Sequence, residues 1–329
     1  MPDPLMPPEW APQDWLWIGF PHLAQEWPGY LEEAQAQIAA FANAVADSGQ
    51  AVRLLVRDAT NEKRARTLAS ESVALEQRAY GDIWLRDTGP LVVFDEGRRA
   101  ARRFGFNGWG GKYAMAGDMT IGDDLADSAG LSAERSAMIL EGGAVDGDGT
   151  GTAITTEQCL LNPNRNPSLS RSEIESELRR RLGFSRIVWL GGGLVNDHTD
   201  GHVDNLARFV GPSRVVVPKA ANGEDPNIGI FEDAAARARE AGLDVVRIPS
   251  PGLVLRGGTI EPASYVNFAI TTHLVVVPIF GSKADEEGVE AIAELFPDRR
   301  VIGLRAEAVL AGGGGFHCAS QQMPSAPEA

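Results

Sequence analysis

The sequence of residues 171–190, RSEIESELRRRLGFSRIVWL, predicts a helix followed directly by a strand. Ser170 or Ser172 can cap the helix at its start and Gly183 follows its last turn, which are ordinary signals of helix ends. The run from Arg186, RIVWL, is short, apolar and rich in β-branched residues, which is typical of a buried strand. A helix that leads directly into a buried strand indicates a mixed α/β fold.

The same pattern recurs along the chain. Further helical patterns lie at about Tyr30–Asp47, Phe231–Ala241 and Ala284–Phe296, and strand-like runs follow them from Ala51, Asp244 and Arg300. Additional strand-like runs are AITTEQCLL from Ala153, RVVVP from Arg214 and HLVVVP from His273. The spacing, roughly 55 to 60 residues, suggests radial or stacked repetition of a strand-strand-helix-strand unit. The segment Asp82–Ala129 fits this repeat poorly, because its one helix, near Ile121–Ala126, is short.

The sequence predicts a single domain over residues 1–329, since no Ser/Gly-rich linker or charge block divides it. A dinucleotide-binding fold is the competing architecture. The glycine-rich stretches from Gly147 and Gly191 look like weak nucleotide loops, but neither opens a helix after a strand, as that fold requires.

Composition and charge restrict the class of protein. The 30 Lys and Arg face 45 Asp and Glu, a formal charge of −15, which repels nucleic acid and anionic lipid. No run of about 18 apolar residues predicts a membrane span, and the Pro-rich, acidic start lacks the features of a secretory signal. Two cysteines, Cys159 and Cys318, make no disulfide framework. We therefore expect a cytoplasmic protein without nucleic-acid or membrane partners; the charge supports a cationic substrate only weakly.

Four short segments concentrate reactive side chains. They are DIWLRDTGP from Asp82, EGGAVDGDGTG from Glu141, NDHTDGHVDNLARF from Asn196 and GGGGFHCASQQ from Gly312. In the third, His202 and Asp204 are two residues apart in a segment that continues like a strand, so we expect them on one face. In the fourth, each glycine costs roughly 1 kcal/mol relative to alanine. That cost is explained if the backbone bends sharply or lets another molecule approach Cys318.

Two chemistries can be built from these residues. In the first, Cys318 is a thiolate nucleophile, His202 is a general acid/base, and carboxylates hold a cationic electrophile. In the second, His198, His202 and Asp204 bind zinc through workable ligand spacings. Gly201 argues against the helix that would place both histidines on one face, and the metal alternative leaves the Cys318 loop unexplained.

Seven segments together resemble the agmatine deiminase family, part of a guanidino-modifying group that includes bacterial-type peptidyl-arginine deiminases. They are PPEWAPQDWLWIGFPH from Pro7, WLRDTGP from Trp84, FNGWGG from Phe106, EGGAVDGDGTGTAITTEQCLLNPNRNP from Glu141, NDHTDGHVDNLARF from Asn196, ASYVNF from Ala263 and GGGGFHCASQQMP from Gly312. They extend over nearly the whole chain, in the family's order. The resemblance implies a five-bladed, pseudo-fivefold α/β propeller, in agreement with the repeat length.

The resemblance also implies roles for individual residues. Cys318 would be the nucleophile and His202 the general acid/base. Asp87 and Asp204 would be the carboxylates that bind the guanidinium. Glu141 would support the histidine, and Trp84 would be the active-site tryptophan. The implied reaction is hydrolysis of agmatine to N-carbamoylputrescine and ammonia through a covalent cysteine thiouronium, a step of putrescine and polyamine biosynthesis. No metal or organic cofactor is expected, and a homodimer is a further implication.

Two positions depart from the family pattern. His198 stands where many members have an acid, which the family places near the distal amine of the substrate. Gly315 and Phe316 stand where the family has Asn and an aliphatic residue. His198 is therefore a candidate substrate-binding residue that leaves the exact guanidine open. Peptidyl-arginine or another guanidine is an alternative substrate, and a guanidino-ligand binding protein without turnover is the non-enzymatic alternative.

Overall fold

Residues 4–326 are described by a computed structural model, so the outermost three residues at each end of the predicted domain 1–329 lie outside the described residues. The strands are β1 (Gln13–Gly19), β2 (Ala51–Val56), β3 (Val73–Gln77), β4 (Leu91–Asp95), β5 (Arg98–Gly105), β6 (Ser132–Ile139), β7 (Val145–Gly147), β8 (Thr152–Thr156), β9 (Arg186–Leu190), β10 (Arg208–Gly211), β11 (Arg214–Lys219), β12 (Asp244–Pro249), β13 (Leu255–Arg256), β14 (Thr259–Ile260), β15 (Ala269–Ile270), β16 (Leu274–Ile279), β17 (Arg300–Arg305) and β18 (Ser320–Pro324). The helices are α1 (Leu31–Asp47), α2 (Ala59–Arg66), α3 (Leu85–Thr88), α4 (Gly108–Gly111), α5 (Ile121–Ser128), α6 (Glu157–Leu160), α7 (Arg171–Leu182), α8 (Ile228–Glu240), α9 (Asp285–Ala293) and α10 (Glu307–Leu310). This mixture confirms the predicted α/β class.

The described strands form six sheets, of which five share one plan. In β4-β5-β6, β7-β8-β9, β10-β11-β12 and β15-β16-β17, an antiparallel pair is followed by a parallel third strand. A parallel neighbour requires a crossover connection, and one or two helices supply it each time. The fifth sheet, β18-β1-β2-β3, pairs β18 antiparallel with β1 and β1 parallel with β2. The sixth is the short hairpin β13-β14.

The segment Asp82–Ala129, expected to fit the repeat poorly, contains β4, β5 and the crossover helix α5 of a sheet with this plan. That expectation was wrong. The helix has only 8 residues, about two turns, and a segment this short gives only a weak periodic pattern in the sequence.

Helix α7 begins and ends where the sequence predicted, because both ends are capped. Ser170 and Glu173 form a capping box, in which each side chain accepts a hydrogen bond from the other's backbone N–H. Gly183 ends the helix with a φ of 78°, a left-handed conformation that glycine adopts without steric cost. The buried apolar side chains of α7, four residues apart, are Ile174, Leu178 and Leu182.

Two segments expected to be strands are partly helical. In AITTEQCLL the strand β8 stops at Thr156, whose hydroxyl accepts a hydrogen bond from the backbone N–H of Cys159 and starts α6. Cys159 therefore lies on a helical turn. His202 precedes a 3₁₀ turn at Val203–Asn205, and β10 begins only at Arg208. The backbone N–H groups of residues 206 and 207 both bond to the carbonyl of Val203, which closes a turn where the alternating pattern suggested a strand.

Buried apolar side chains form three clusters. The largest includes residues of β1, α1 and the loop before β18. In it Phe41 of α1 stacks on Phe316, with ring centroids 4.8 Å apart, so the loop that carries Cys318 is anchored in the core. No helix within residues 4–326 is long and apolar enough to cross a bilayer.

Candidate active site

Five loops, each leading into the edge strand of one of the five like sheets, meet at one place. They contribute Asp87 before β4, Glu141 before β7, His202 and Asp204 before β10, Asn267 before β15, and Cys318 before β18. All six side chains are buried. A Cβ atom added to Gly143 would lie within 3.0 Å of side-chain atoms of His202, Asp87 and Asp204. These three side chains therefore pack around Gly143 in the space that any larger residue would occupy.

Cys318 is held by Asn267. The side-chain amide of Asn267 donates to Cys318 Sγ over 3.1 Å, and its Oδ1 accepts from the backbone N–H of Cys318 over 3.3 Å. Burial, with the negative charges of Asp204 and Asp87, raises the pKa of the Cys318 thiol well above its ordinary value. The cysteine therefore rests as a thiol until a cation offsets those charges.

His202 lies between two carboxylates. Its Nδ1 is 3.6 Å from Asp87 Oδ1, and its Nε2 is 3.9 Å from Glu141 Oε2. Burial lowers the pKa of His202, but the charge of Asp87 and contacts with Cys159 and Glu141 outweigh burial and raise this pKa well above the ordinary value. The ring is therefore an imidazolium at neutral pH, able to give a proton to a leaving group.

Asp87 is oriented by two donors from different loops. Trp109 donates its indole N–H to Asp87 Oδ2 over 2.9 Å, and the backbone N–H of Gly143 donates to Oδ1 over 3.0 Å. Burial and the charge of Asp204 raise the pKa of Asp87, against the opposing effect of His202. A cation bound beside Asp87 would reverse this shift.

Asp204 belongs to a buried network of charges. His317 places Nδ1 2.7 Å from Asp204 Oδ2 and Nε2 2.8 Å from Glu9 Oε2. Both ring nitrogens of His317 therefore face carboxylate oxygens, one of Asp204 and one of Glu9. Glu9 also contacts Arg208 and lies 3.7 Å from Arg86. Burial raises the pKa of Asp204, but the hydrogen bond and charge of His317 outweigh burial and lower it below the ordinary value.

Glu141 is paired on one side only. Arg165 Nε donates to Glu141 Oε1 over 2.7 Å, and the guanidinium of Arg165 also reaches Asp200 over 2.7 Å. Burial opposes ionisation of Glu141, yet His202 and Arg165 lower its pKa below the ordinary value. The second oxygen, Oε2, remains directed at His202.

Four buried polar atoms of this cluster have no hydrogen-bond partner within residues 4–326. They are Glu141 Oε2, both ring nitrogens of His202, and Asp204 Oδ1. A buried polar group without a partner costs roughly 1–3 kcal/mol and is uncommon in native proteins. The presence of four such atoms in one cluster indicates a binding site for a polar ligand.

A pocket with a cavity volume of about 130 Å³ opens onto the cluster. Cys318 and Asp87 line it, and the indoles of Trp84 and Trp109 contribute aromatic walls. The remaining lining residues are Glu26, Asp82, Tyr113, His198, Thr199 and Ala311–Gly313. His202, Glu141 and Asp204 are closed off from solvent. His202 lies against Asp87, Asp204 contacts Cys318, and Glu141 lies behind His202.

The zinc alternative is not supported by this geometry. His198 is exposed, with Nδ1 3.1 Å from the hydroxyl of Tyr113, whereas His202 is fully buried. In the described part of the chain, His198, His202 and Asp204 do not form a set of neighbouring ligand atoms; Glu141, Cys159 and His202 do, within 4.8 Å of one another. A tetrahedral zinc on that buried trio would still need a fourth ligand.

The structure also places residues in the site that the motif analysis did not assign. Asn267 and Trp109 lie in segments quoted for the resemblance, ASYVNF and FNGWGG. Asn267 contacts Cys318 and Trp109 contacts Asp87, which places both residues in the site. Trp109 has a φ of 52° between glycines 108 and 110; such a conformation is rare for a bulky residue and clusters at functional sites. The flanking glycines were the one sequence signal available.

Residues 5–324 match the Porphyromonas-type peptidyl-arginine deiminase family. An agmatine deiminase from Stutzerimonas stutzeri is 37% identical, covering 97% of this chain and 95% of that protein. The solved structure of an agmatine deiminase of Enterococcus faecalis superposes with a TM-score of 0.92 at 29% identity, covering 98% of this chain and 96% of that one. An amidinotransferase from Microseira wollei has a TM-score of 0.59 at 13% identity, covering 100% and 98% of the two chains; that likeness concerns the fold alone.

Proposed function

The chain belongs to the agmatine deiminase family, within the Porphyromonas-type peptidyl-arginine deiminases, and on that premise we propose that it hydrolyses agmatine to N-carbamoylputrescine and ammonia. The observation that carries the proposal is the meeting of one thiol, one imidazolium and two carboxylates at one end of a pocket of about 130 Å³. These are the groups that attack on a guanidinium carbon requires: a nucleophile, a proton donor and anionic oxygens for a planar cation.

Asp87 and Asp204 hold the guanidinium. Each carboxylate can accept two N–H donors from the planar cation, which fixes its carbon opposite Cys318 Sγ. The unpaired Oδ1 of Asp204 and the orientation of Asp87 by Trp109 and Gly143 support this assignment. Substrate charge favours both carboxylates in their ionised form and lowers the pKa of the Cys318 thiol, so ionisation of the nucleophile is assisted by the substrate.

In the first half-reaction the Cys318 thiol releases its proton to solvent, where it ends on the departing ammonia as ammonium, and its sulfur attacks the guanidinium carbon. His202 donates a proton to one terminal nitrogen, the bond from carbon to that nitrogen breaks, and ammonia leaves. The enzyme then carries a thiouronium, with sulfur bonded to the amidine carbon. Glu141 supports the histidine through the 3.9 Å approach of its Oε2 to Nε2.

In the second half-reaction His202, now neutral, takes a proton from water. The resulting hydroxide attacks the thiouronium carbon, the carbon–sulfur bond breaks, and N-carbamoylputrescine and the free cysteine result. The balance is one guanidine and one water consumed, one urea group and one ammonia formed. This chemistry uses only side chains of the chain itself.

Ammonia release from a panel of guanidines tests the proposal. Agmatine is expected to have the highest kcat/KM, ahead of free arginine and of a peptide ending in arginine. A mass increase on the Cys318 peptide after rapid acid quenching would identify the thiouronium. Equal or faster turnover of the peptide would replace agmatine by peptidyl-arginine, and binding of agmatine without ammonia release would leave a guanidino-ligand binding protein.

The five like sheets fit a five-bladed propeller within one catalytic domain. Support comes from the shared plan of the sheets, from the pairing of β18 with β1, and from the position of each site loop before an edge strand. In a propeller, loops at equivalent positions of all blades lie around one axis, so each blade can contribute to one central site. The homodimer and the cytoplasmic location stay predictions, which light scattering and cell fractionation would check.

A further inference from the structure

The pocket that contains Cys318 has a second acidic region besides its guanidinium-binding carboxylates. Glu26, in the loop between β1 and α1, and Asp82, before α3, both line it. No lysine or arginine appears among the described residues that line the pocket. A pocket lined by acidic side chains and by no lysine or arginine favours a positively charged ligand.

Glu26, Asp82 and Tyr113 line the same pocket. The charge of Glu26 acts on both of the others, and burial, with Asp118 and Glu26 as negative neighbours, raises the pKa of Asp82 to about 8. Asp82 is only 3% exposed, so it is a carboxyl group kept inside the wall of the pocket. A cation beside it would stabilise its ionised form.

Position 198 does not supply an acid to this pocket. His198 directs Nδ1 at the hydroxyl of Tyr113, 3.1 Å away, and stacks on the tyrosine ring with centroids 6.3 Å apart. Its exposed imidazole lines the same pocket as Glu26 and Asp82 and provides no fixed negative charge. The anionic group for a second cationic centre must therefore come from another loop.

We propose that Glu26, with Asp82, forms the subsite that binds the primary ammonium of the substrate, in place of an acid at position 198. The inference rests on the proposed deimination of agmatine and adds which residues select the diamine-like substrate. The guanidinium lies against Asp87 and Asp204, the methylene chain passes the indoles of Trp84 and Trp109, and the ammonium reaches Glu26. The α-carboxylate of free arginine would meet the same acidic wall and be repelled.

The test compares agmatine with butylguanidine, which has the same guanidinium and chain length but no ammonium. Glu26→Gln keeps the size of the side chain and removes its charge. A hydrogen-bonded charge pair of this kind contributes roughly ten- to a hundredfold in affinity, so KM for agmatine should rise by that factor while kcat changes little. Turnover of butylguanidine should change less than about twofold, and Asp82→Asn should act in the same direction as Glu26→Gln. Glu33→Gln, an exposed change on α1, is the matched control.

The outcomes separate the subsite from the reaction. Equal losses on both substrates, or no loss on either, would overturn the subsite while leaving the deiminase assignment in place. Should the unaltered protein release ammonia from neither compound, the proposed function fails, and calorimetric binding of the same two compounds then decides on the subsite. A preference for agmatine over butylguanidine that Glu26→Gln removes would support it, and an unchanged preference would refute it.

Discussion

Cys318 and Cys159 are both buried, yet only Cys318 lines the pocket. Replacing Cys318 by Ser should lower ammonia release from agmatine by on the order of 10³-fold or more, because the proposed nucleophile is lost. Cys159 lies beside His202 on α6, where a serine hydroxyl can keep the contact, so Cys159→Ser should retain most activity. Steady-state ammonia assays, with circular dichroism to verify folding, measure both. Full activity of the Cys318 variant would exclude the thiol mechanism.

The protonation state of Cys318 gives a second prediction at this scale. Only the thiolate reacts with iodoacetamide, and burial and two carboxylates raise the pKa of this thiol. Alkylation at pH 7 should therefore be slower than that of a small free thiol, and its rate should keep rising above pH ~8.5, the ordinary cysteine pKa. The rate is followed by mass spectrometry of the Cys318 peptide, with a small free thiol in the same solution as the reference. A rate that levels off below pH 8 would contradict the resting thiol.

At the scale of the element, the turn Gly142–Ala144 has no spare volume. A Cβ at Gly143 would approach His202 Nδ1 to 2.6 Å and Asp87 Oδ1 to 2.9 Å, distances that real Cβ atoms do not show. Gly143→Ala should therefore displace the histidine and lower kcat at least a hundredfold, roughly the size of a lost general acid/base. A glycine of helix α8 is the comparison, because a Cβ at Gly229 meets nothing within 4 Å. Gly229→Ala should raise stability by roughly 0.5–1 kcal/mol with normal kcat, whereas near-normal kcat in Gly143→Ala would show that the loops adapt.

Elements with strong local signals were predictable from the sequence, and contacts between distant elements were not. Helix α7 was predictable because Ser170 and Glu173 cap its start and Gly183 its end. Each of these residues acts on backbone groups only a few positions away. The 3₁₀ turn after His202 has no such signal, since its alternating residues fit a strand equally well. Asn267 contacts Cys318, which lies 51 residues further along the chain. The segment ASYVNF contains no signal that predicts which distant loop the Asn267 amide contacts. The principal candidate residues could be named because their motifs recur in a known family; Trp109 and Glu9 depend on packing.

At the scale of the whole molecule, Glu9 joins distant parts of the chain. It contacts Arg208 and His317 and accepts from the backbone N–H of Ile270 over 2.8 Å. Glu9→Gln removes one of the carboxylates that a buried arginine and a buried histidine face, so the free energy of unfolding should fall by roughly 3–5 kcal/mol. Urea titration measures this, with the exposed Glu71→Gln, expected within about 0.5 kcal/mol of the unaltered protein, as control.

The pH dependence of this contribution has a definite sign. Burial opposes ionisation of Glu9, but Arg208, His317 and Arg86 lower its folded-state pKa far below the ordinary value. The stabilisation is therefore complete above the unfolded-state pKa of about 4.3 and is lost as the pH falls below it. The stability gap between the unaltered protein and Glu9→Gln should stay constant from pH 7 to about pH 5 and shrink in stronger acid. A gap that widens on acidification would show that Glu9 is not the ionised partner.

The pairing of β1 with β18 joins residues as far apart as Gln13 and Pro324. A contact at that separation forms late, because the entropy of closing so long a loop opposes it. On the ribosome the loops bearing Asp87, Glu141, His202 and Asn267 emerge first, and Cys318 follows them just ahead of β18. A nascent chain halted before residue 318 already contains the site acids and His202, yet it lacks the thiol of Cys318. On the proposed mechanism, the growing chain therefore cannot release ammonia until residue 318 has been translated. The moment at which activity appears during synthesis would then mark the pairing of β18 with β1.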